Sequence, residues 1–269
     1  MRQLLRITAT FALALVFTAG MAFGQTNNRA EHDQTGDDHV ATSTQTGDDN
    51  TSLITQDKNG GPAANFAEAD VDQTGDDNYS RLRQTAFYGN STADVDQIGD
   101  NNSVRLRTSN GGGTFEVYME GDNNILGAWR RINADSGPNG VINNQPASQK
   151  NQNFFDLDID GDNNRVGLKQ ESAQSATVSI TGSGNLAPIF QKDPGSTLSI
   201  TADGSNNRLE VFQGPSGGFG VGSGGNDATI ELLNGSNFNN ARIAQTSANN
   251  MAEITIDGSS NKSIVKQQN

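Results

Sequence analysis

The chain has 269 residues, a formal net charge of −13 and no cysteine, and only 32% of it is hydrophobic while glycine numbers 31. So few large apolar side chains exclude a broad, many-layered core, and the lack of cysteine excludes a disulfide framework and thiol chemistry. Low hydrophobicity with high charge usually leaves a chain disordered, but here the polar residues are periodic rather than scattered, which favours a thin core repeated many times.

Residues 1–24 read as a secretory signal peptide, with Arg2 and Arg6 in a basic start, an apolar run from Ile7 to Ala19, and Ala22 and Gly24 as the small residues before cleavage at Gln25. The run is too short for a membrane span, which needs about 20 residues. The expected chain is therefore exported, with a short N-terminal segment over 25–33 and a repeat domain over 34–269.

From there one phrase recurs. Its fullest form is Asp72-Gln73-Thr74-Gly75-Asp76-Asp77-Asn78, followed by Gln84; it returns as Asp96 to Asn102, and in drifted form through Gly121, Gly161, Gly182, Gly204, Gly235 and Gly258. The clearest adjacent glycine spacings are 24, 22, 21, 22 and 23 residues. A period in this range marks a stacked repeat in which no unit can bury its own face.

Each repeat reads as strand, turn, strand. Before Gly99, Val95 and Gln97 alternate with Asp94 and Asp96; after Asn101, Asn102, Val104, Leu106 and Thr108 alternate with Ser103, Arg105 and Arg107. Gly75, Gly99, Gly121, Gly161, Gly182, Gly204 and Gly258 are the expected turn glycines. The fold class expected is all-β: a β-solenoid of ~22-residue repeats, about nine or ten coils.

By parity the amides face inward with the aliphatics. Asn50, Asn78, Asn102, Asn164, Asn185, Asn207 and Asn261 follow the turn, and Gln56, Gln84, Gln170, Gln191, Gln213 and Gln267 come six residues later. Gln45, Gln73 and Gln97 precede the turn. An unpaired buried amide is costly, so these side chains are expected to stack as ladders, each donating to one neighbour and accepting from the other. From Met119 onward the first-strand Gln position turns apolar, as at Ile159, Ile180 and Ile256.

Outward positions sort by charge. First strands carry Asp70, Asp72, Asp94, Asp96, Glu116, Asp156, Asp158 and Asp160, whereas second strands carry Arg81, Arg83, Arg105, Arg107, Arg165, Lys169, Arg208 and Arg242. One acidic and one basic broad face are expected, able to pair between neighbouring solenoids. Gly-, Pro- and Asn-rich stretches near 57–65, 109–113, 133–153 and 214–226 read as inserted loops.

Catalytic patterns are missing. His32 and His39 are the only histidines, which argues against a Ser/His/Asp or Cys/His nucleophile, so no enzymatic activity and no cofactor are expected. Asp156 to Gly161 begins like an EF-hand loop, yet Gly167 stands where the twelfth-position Glu should be. Weak calcium binding at the Asp-rich turns stays open, and with it a rival reading as a monomeric, calcium-stiffened adhesin. So acidic a chain is not expected to bind nucleic acid.

The pattern Gln-x-Gly-x-x-Asn, then five residues and Gln, resembles the repeat of curlins, the subunits of bacterial curli fibres. Gln45/Asn50/Gln56 and Gln73/Asn78/Gln84 carry the whole pattern, Gln34/His39/Gln45 has His in the Asn position, and Gln97/Asn102/Thr108 has Thr in the last. The resemblance extends from about Gln34 to Gln267. It implies secretion through a dedicated outer-membrane pore, self-association into cross-β fibres, alone or with other curlin subunits, and a part in adhesion and biofilm formation at the bacterial surface.

Overall fold

The structure, a computed structural model, describes residues 26–36, 39–58, 67–86, 92–109, 114, 116–131, 140–143, 147–150, 155–171, 175–192, 194–214, 225–233, 235–247 and 249–268. The expected signal peptide and most of the expected loops, including 59–65, 110–113 and 215–224, lie outside the described residues. In chain order the strands are β1 (Arg29–Thr35), β2 (Val40–Thr46), β3 (Thr51–Lys58), β4 (Glu68–Thr74), β5 (Tyr79–Ala86), β6 (Asp96–Ile98), β7 (Ser103–Ser109), β8 (Met119–Glu120) and β9 (Ile125–Arg131). There follow β10 (Gly140–Asn143), β11 (Ala147–Lys150), β12 (Arg165–Gln170), β13 (Leu186–Gln191), β14 (Thr197–Ala202), β15 (Arg208–Gln213), β16 (Asp227–Leu233), β17 (Asn240–Gln245), β18 (Met251–Asp257) and β19 (Lys262–Gln267).

Strands that follow a turn stack into one sheet in the order β1-β3-β5-β7-β11-β12-β13-β15-β17-β19. Those that precede a turn form two shorter sheets, β2-β4-β6-β8 and β14-β16-β18. The stacked strands pair in parallel, with equivalent residues in register: Gln34, Gln56 and Gln84 meet rung on rung, as do Gln170, Gln191, Gln213, Gln245 and Gln267. The chain is thus an all-β solenoid in which the long sheet faces the two shorter ones across a narrow core.

Alternation decides which residues fill that core. β4 and β18 bury every second residue, and Val71, Val95, Met119, Ile180 and Ile230 oppose Leu82, Leu106, Leu168, Ile189 and Ile243 in one continuous cluster. Each such aliphatic, once covered by coils above and below, contributes roughly 1.5–3 kcal/mol. A one-residue slip of any strand would drive Asp or Arg inward in place of Val or Leu.

The coil count differs from expectation. Among the described residues seven coils have a strand on both sides of the turn: β2/β3, β4/β5, β6/β7, β8/β9, β14/β15, β16/β17 and β18/β19. Before β12 and β13 the chain runs through 155–160 and 176–181, which bury Phe155, Leu157 and Ile159, and Ala176, Val178 and Ile180, without forming ladder strands. Left-handed backbone at Asp158 (φ 59°) and Ser179 (φ 26°) interrupts the regular strand there, leaving isolated inter-coil bonds such as Ser179 N–H to Leu157 O (3.1 Å), while the alternate side chains stay inward.

The stretch 133–153, expected as a loop, holds two strands. β10 pairs antiparallel with the second half of β9 and lies against β12 and β13. β11 enters the main sheet between β7 and β12, replacing β9, whose register with β12 ends at Gly127. The expected basic face is correspondingly interrupted, because the outward positions Gly167, Pro188, Glu210 and Phe212 are buried. Glu210 is held there by ion pairs with Arg208 and Arg242, and the Phe190 and Phe212 rings stack at 5.1 Å.

The turns show how tightly the coils approach. A Cβ on Gly75 would sit 2.2 Å from the carbonyl oxygen of Gly99, and one on Gly204 would sit 1.7 Å from that of Ser236. Gly235 differs: its φ is +67°, yet an added Cβ would meet nothing within 4 Å. Both Gly75→Ala and Gly235→Ala incur the positive-φ strain of about 1–2 kcal/mol, but only Gly75→Ala adds a backbone collision. Chemical denaturation should show Gly75→Ala to be several kcal/mol worse, or unfolded; equal losses would mean that the coils are not stacked this closely.

Candidate functional site: amide columns and the turn ridge

The inward amides lie at the two ends of the thin apolar core. At the end away from the turn, Gln34 Nε2 donates to Gln56 Oε1 (2.7 Å) and Gln56 Nε2 to Gln84 Oε1 (2.9 Å). Thr108 interrupts this column, its buried Oγ1 without a partner among the described residues. The column resumes from Gln170 to Gln191 (2.8 Å), Gln213 (2.9 Å), Gln245 (3.0 Å) and Gln267 (2.9 Å).

The second amide hydrogen crosses the core. Gln84 Nε2 also donates to Glu68 O at 2.9 Å, and Gln213 Nε2 to Thr197 O at 3.0 Å. One side chain therefore joins consecutive coils and ties the two sheets together. Beside the turn a second column runs from Gln45 to Gln73 and on to Gln97, each step 2.8 Å, and stops where Met119 takes the next inward position.

The asparagines are wired differently from the expected amide-to-amide ladder. Their Oδ1 accepts the backbone N–H of the next Asn: Asn50 from Asn78 (3.0 Å), Asn78 from Asn102 (3.0 Å), Asn164 from Asn185 (2.9 Å), Asn185 from Asn207 (2.9 Å) and Asn239 from Asn261 (2.8 Å). The Nδ2 donates to the carbonyl of the next turn, from Asn50 to Gly75 O (2.6 Å), Asn78 to Gly99 O (2.7 Å), Asn102 to Gly121 O (2.7 Å) and Asn185 to Gly204 O (2.8 Å). The Asn side chain, shorter than Gln, thus bonds mainly the backbone of the neighbouring coil. Asn185 also reaches a side chain, Asn164 Oδ1 at 3.1 Å, as Asn250 does Asn226 Oδ1 at 3.2 Å.

The turns add a third column that parity did not reveal. The N–H of Asp48 donates to Asp76 Oδ1 (2.7 Å), that of Asp76 to Asp100 Oδ1 (2.8 Å), and that of Asp122 to Asp162 Oδ1 (2.8 Å). Ser183, Ser205, Asn237 and Ser259 continue it with uncharged acceptors. Sequence reasoning also missed Gln245 and Asn239, because Gly235 looked like the turn glycine of that coil. Ser236 occupies the position instead, its carbonyl accepting from Asn207 Nδ2 at 2.8 Å. Gln245, six residues after Asn239, was the available signal.

On the outer face the acids crowd one another. Burial, then the neighbouring charge of Asp72, pushes the Asp70 carboxyl up, and burial, then Asp94 and Asp72, does the same to Asp96. Asp158 is likewise raised by burial and by Asp160 and Asp156, against the N–H of Ile159. At the N-terminal end His32 Nε2 lies 2.8 Å from Ser43 Oγ, and burial lowers its pKa. Among the described residues no group of three or more His, Cys, Asp or Glu side chains is placed to hold a metal, and no helix is long and apolar enough to cross a membrane.

Fold and site together define a repeat protein: a parallel β-solenoid indexed by inward Gln and Asn columns. Residues 26–57, from the turn before β1 nearly to the end of β3, match the family model of the curlin associated repeat, so this stretch of the solenoid is similar to a curlin repeat. No curated protein matches the chain significantly.

Gln84→Ala removes the acceptor of Gln56 Nε2 and the donor to Glu68 O, and should cost roughly 2–4 kcal/mol. Arg83→Ala, on the exposed face, should cost under about 1 kcal/mol. Denaturant midpoints of the two variants measure the difference, and comparable losses would show that the column carries no stability. The raised carboxyls set a pH dependence. A carboxyl whose pKa is higher folded than unfolded stabilises below its ordinary pKa, and that stability is lost as pH rises through the folded value. The melting temperature should therefore rise as pH falls from 7 toward roughly 4, and the rise should shrink in Asp72→Asn/Asp94→Asn; a wild-type melting temperature that falls over this range would contradict the assignment.

Proposed function

We propose that this protein is a secreted structural subunit of an extracellular, curli-like amyloid fibre, lengthened by strand addition at the open ends of the solenoid and contributing to adhesion and biofilm matrix. Export follows removal of residues 1–24 through a curli-type secretion pore. The chain acts as a building element and not as an enzyme.

The observation that carries this reading is the polarity of the Gln column. Every rung donates in one direction, from the N-terminal coil toward the C-terminal one. Gln34 gives its Nε2 to Gln56, and among the described residues no donor reaches its Oε1. Gln267 closes the column with one hydrogen on Met251 O at 2.7 Å, which leaves the other for a further acceptor. One end is thus an acceptor and the other a donor. Complementary but unlike ends favour head-to-tail addition, which does not close on itself.

The backbone supports the same conclusion, since β1 and β19 lie at opposite ends of the long sheet and each has one unpaired edge among the described strands. Such edges recruit further strands unless blunted. The N-terminal end is stepped, β1 standing one rung beyond β2. The match to the curlin associated repeat is the independent support.

Purified mature chain should form thioflavin-positive fibres with a ~4.7 Å meridional reflection. A stable monomer that gains structure only on adding calcium would replace this reading with the adhesin. Gly258 offers a sharper test, because a Cβ there would meet only Asn261 Nδ2, at 3.7 Å, where inner turn glycines meet backbone. Gly258→Ala should leave a folded monomer, destabilised by about 1–2 kcal/mol through its positive φ, while elongation from seeds falls at least tenfold. Unchanged elongation would rule out stacking on the C-terminal coil.

A further inference from the structure

We infer that two copies of this chain also pair side by side, the outward arginines of β5 and β7 in one copy seating on the outward aspartates of β4 and of the stretch from Asp94 into β6 in the other. The inference rests on the fibre reading only for its multiplicity. Its chemistry lies in two charge grids on opposite faces of the same two coils.

On one face Arg81 and Arg83 stand in register with Arg105 and Arg107. On the other, Asp72 stands in register with Asp96, and the N–H groups of Asp70 and Asp72 bond the carbonyls of Ala93 and Val95 on the next coil. Each grid is therefore two residues by two rungs, with side chains every ~4.8 Å across strands and every ~6.7 Å along them. The two share one lattice because both come from parallel strands of the same coils. A sideways shift of one copy brings four guanidinium groups opposite four carboxylates without any change of spacing.

Within one chain the grids cannot answer each other, because the core keeps the sheets about 10 Å apart. Arg83 meets Asp57 at 3.6 Å and the Arg105 guanidinium covers the Tyr79 ring at 4.6 Å, so two of the four guanidinium groups are fixed in place on their own face. The aspartates also repel one another, which adds to burial in raising the Asp70 and Asp96 carboxyls. An opposing row of arginines relieves that repulsion, and guanidinium forks suit carboxylates.

The rest of the solenoid confines the contact to this place. Beyond β9 the arginine face is interrupted by β10 against β12 and β13; the opposite face stays acidic through Asp156, Asp158 and Asp160 before it turns to Thr177, Ser179 and Thr181, so the arginine side sets the limit. Eight charges make a weak, salt-sensitive contact between single chains. Repeated once per subunit along two fibres it becomes a strong one.

The test uses the mature chain with Arg81→Gln/Arg83→Gln/Arg105→Gln/Arg107→Gln or with Asp70→Asn/Asp72→Asn/Asp94→Asn/Asp96→Asn. Electron microscopy and light scattering compare about 10 mM with about 1 M salt, where the screening length falls from about 30 to about 3 Å. Wild-type fibres should bundle at low salt and disperse at high salt. Each variant should elongate within about twofold of wild type yet remain as single filaments, and mixing filaments of the two variants should restore pairing, since one supplies each intact grid. Variants that bundle like wild type, or a mixture that stays dispersed, would overturn the proposal. So would bundling that depends on the arginines alone, the result expected if an added acidic polymer bridged them. Should wild type form no fibres, the fibre reading fails by itself. The lateral contact is then scored by sedimentation velocity of the soluble chain: salt-sensitive association lost in each variant and regained in the mixture supports it, and its absence in wild type refutes it.

Discussion

Everything in this protein depends on how closely one turn lies on the next. The space that a side chain would need at Gly47, Gly75, Gly99 or Gly182 is taken by a carbonyl of the following coil, 2.2 to 2.3 Å from the missing Cβ. That approach brings the Asn amide within reach of the next turn's carbonyl and the turn N–H within reach of the next Asp or Ser. It fixes the vertical spacing, so the Gln side chains meet end to end rather than passing one another. Register then follows for every strand, and with it the choice of which residues are buried.

A core only a few side chains wide gains little from any one coil, and its stability accumulates from neighbour to neighbour. The polar columns matter because of this thinness. Apolar side chains occupy the middle of each coil while amides close its ends, and a buried amide left unpaired would cost about 1–3 kcal/mol. Toward the C-terminus the balance shifts: Ile159 and Ile180 take the position held earlier by Gln73 and Gln97, and the turn column changes from Asp to Ser and Asn. The second half is the drier and less charged version of one plan, and there the backbone tolerates the irregular segments before β12 and β13.

Much of this was legible in the residues. The two-residue parity placed Val71, Leu82, Val104 and Leu106 inside and Asp72, Arg81 and Arg105 outside, since strand geometry leaves no other choice once one face is buried. The spacing of Gln73, Asn78 and Gln84 marked positions that stack. Bonding partners were less legible. Whether Asn78 bonds Asn102 through its side chain or its backbone depends on a reach of about 1 Å, which no pattern encodes. Gly235 misled because an unrelated turn glycine one residue from Ser236 looks the same in one dimension. The strands β10 and β11 were invisible as well, because a four-residue strand in an Asn- and Gly-rich stretch forms only where a sheet is already waiting.

Sequence alone thus determined the period, the parity, the turn positions and the kinds of residue that must stack, because each is a local preference repeated until it is unambiguous. Only the tertiary structure decided the wiring of the Asn and Asp columns, the polarity that leaves Gln34 and Gln267 as unlike ends, the entry of β11 in place of β9, and the pairing of Arg and Asp grids on one lattice. These depend on distances between residues about 22 positions or more apart in the chain. Such distances exist only once the coils have closed on one another.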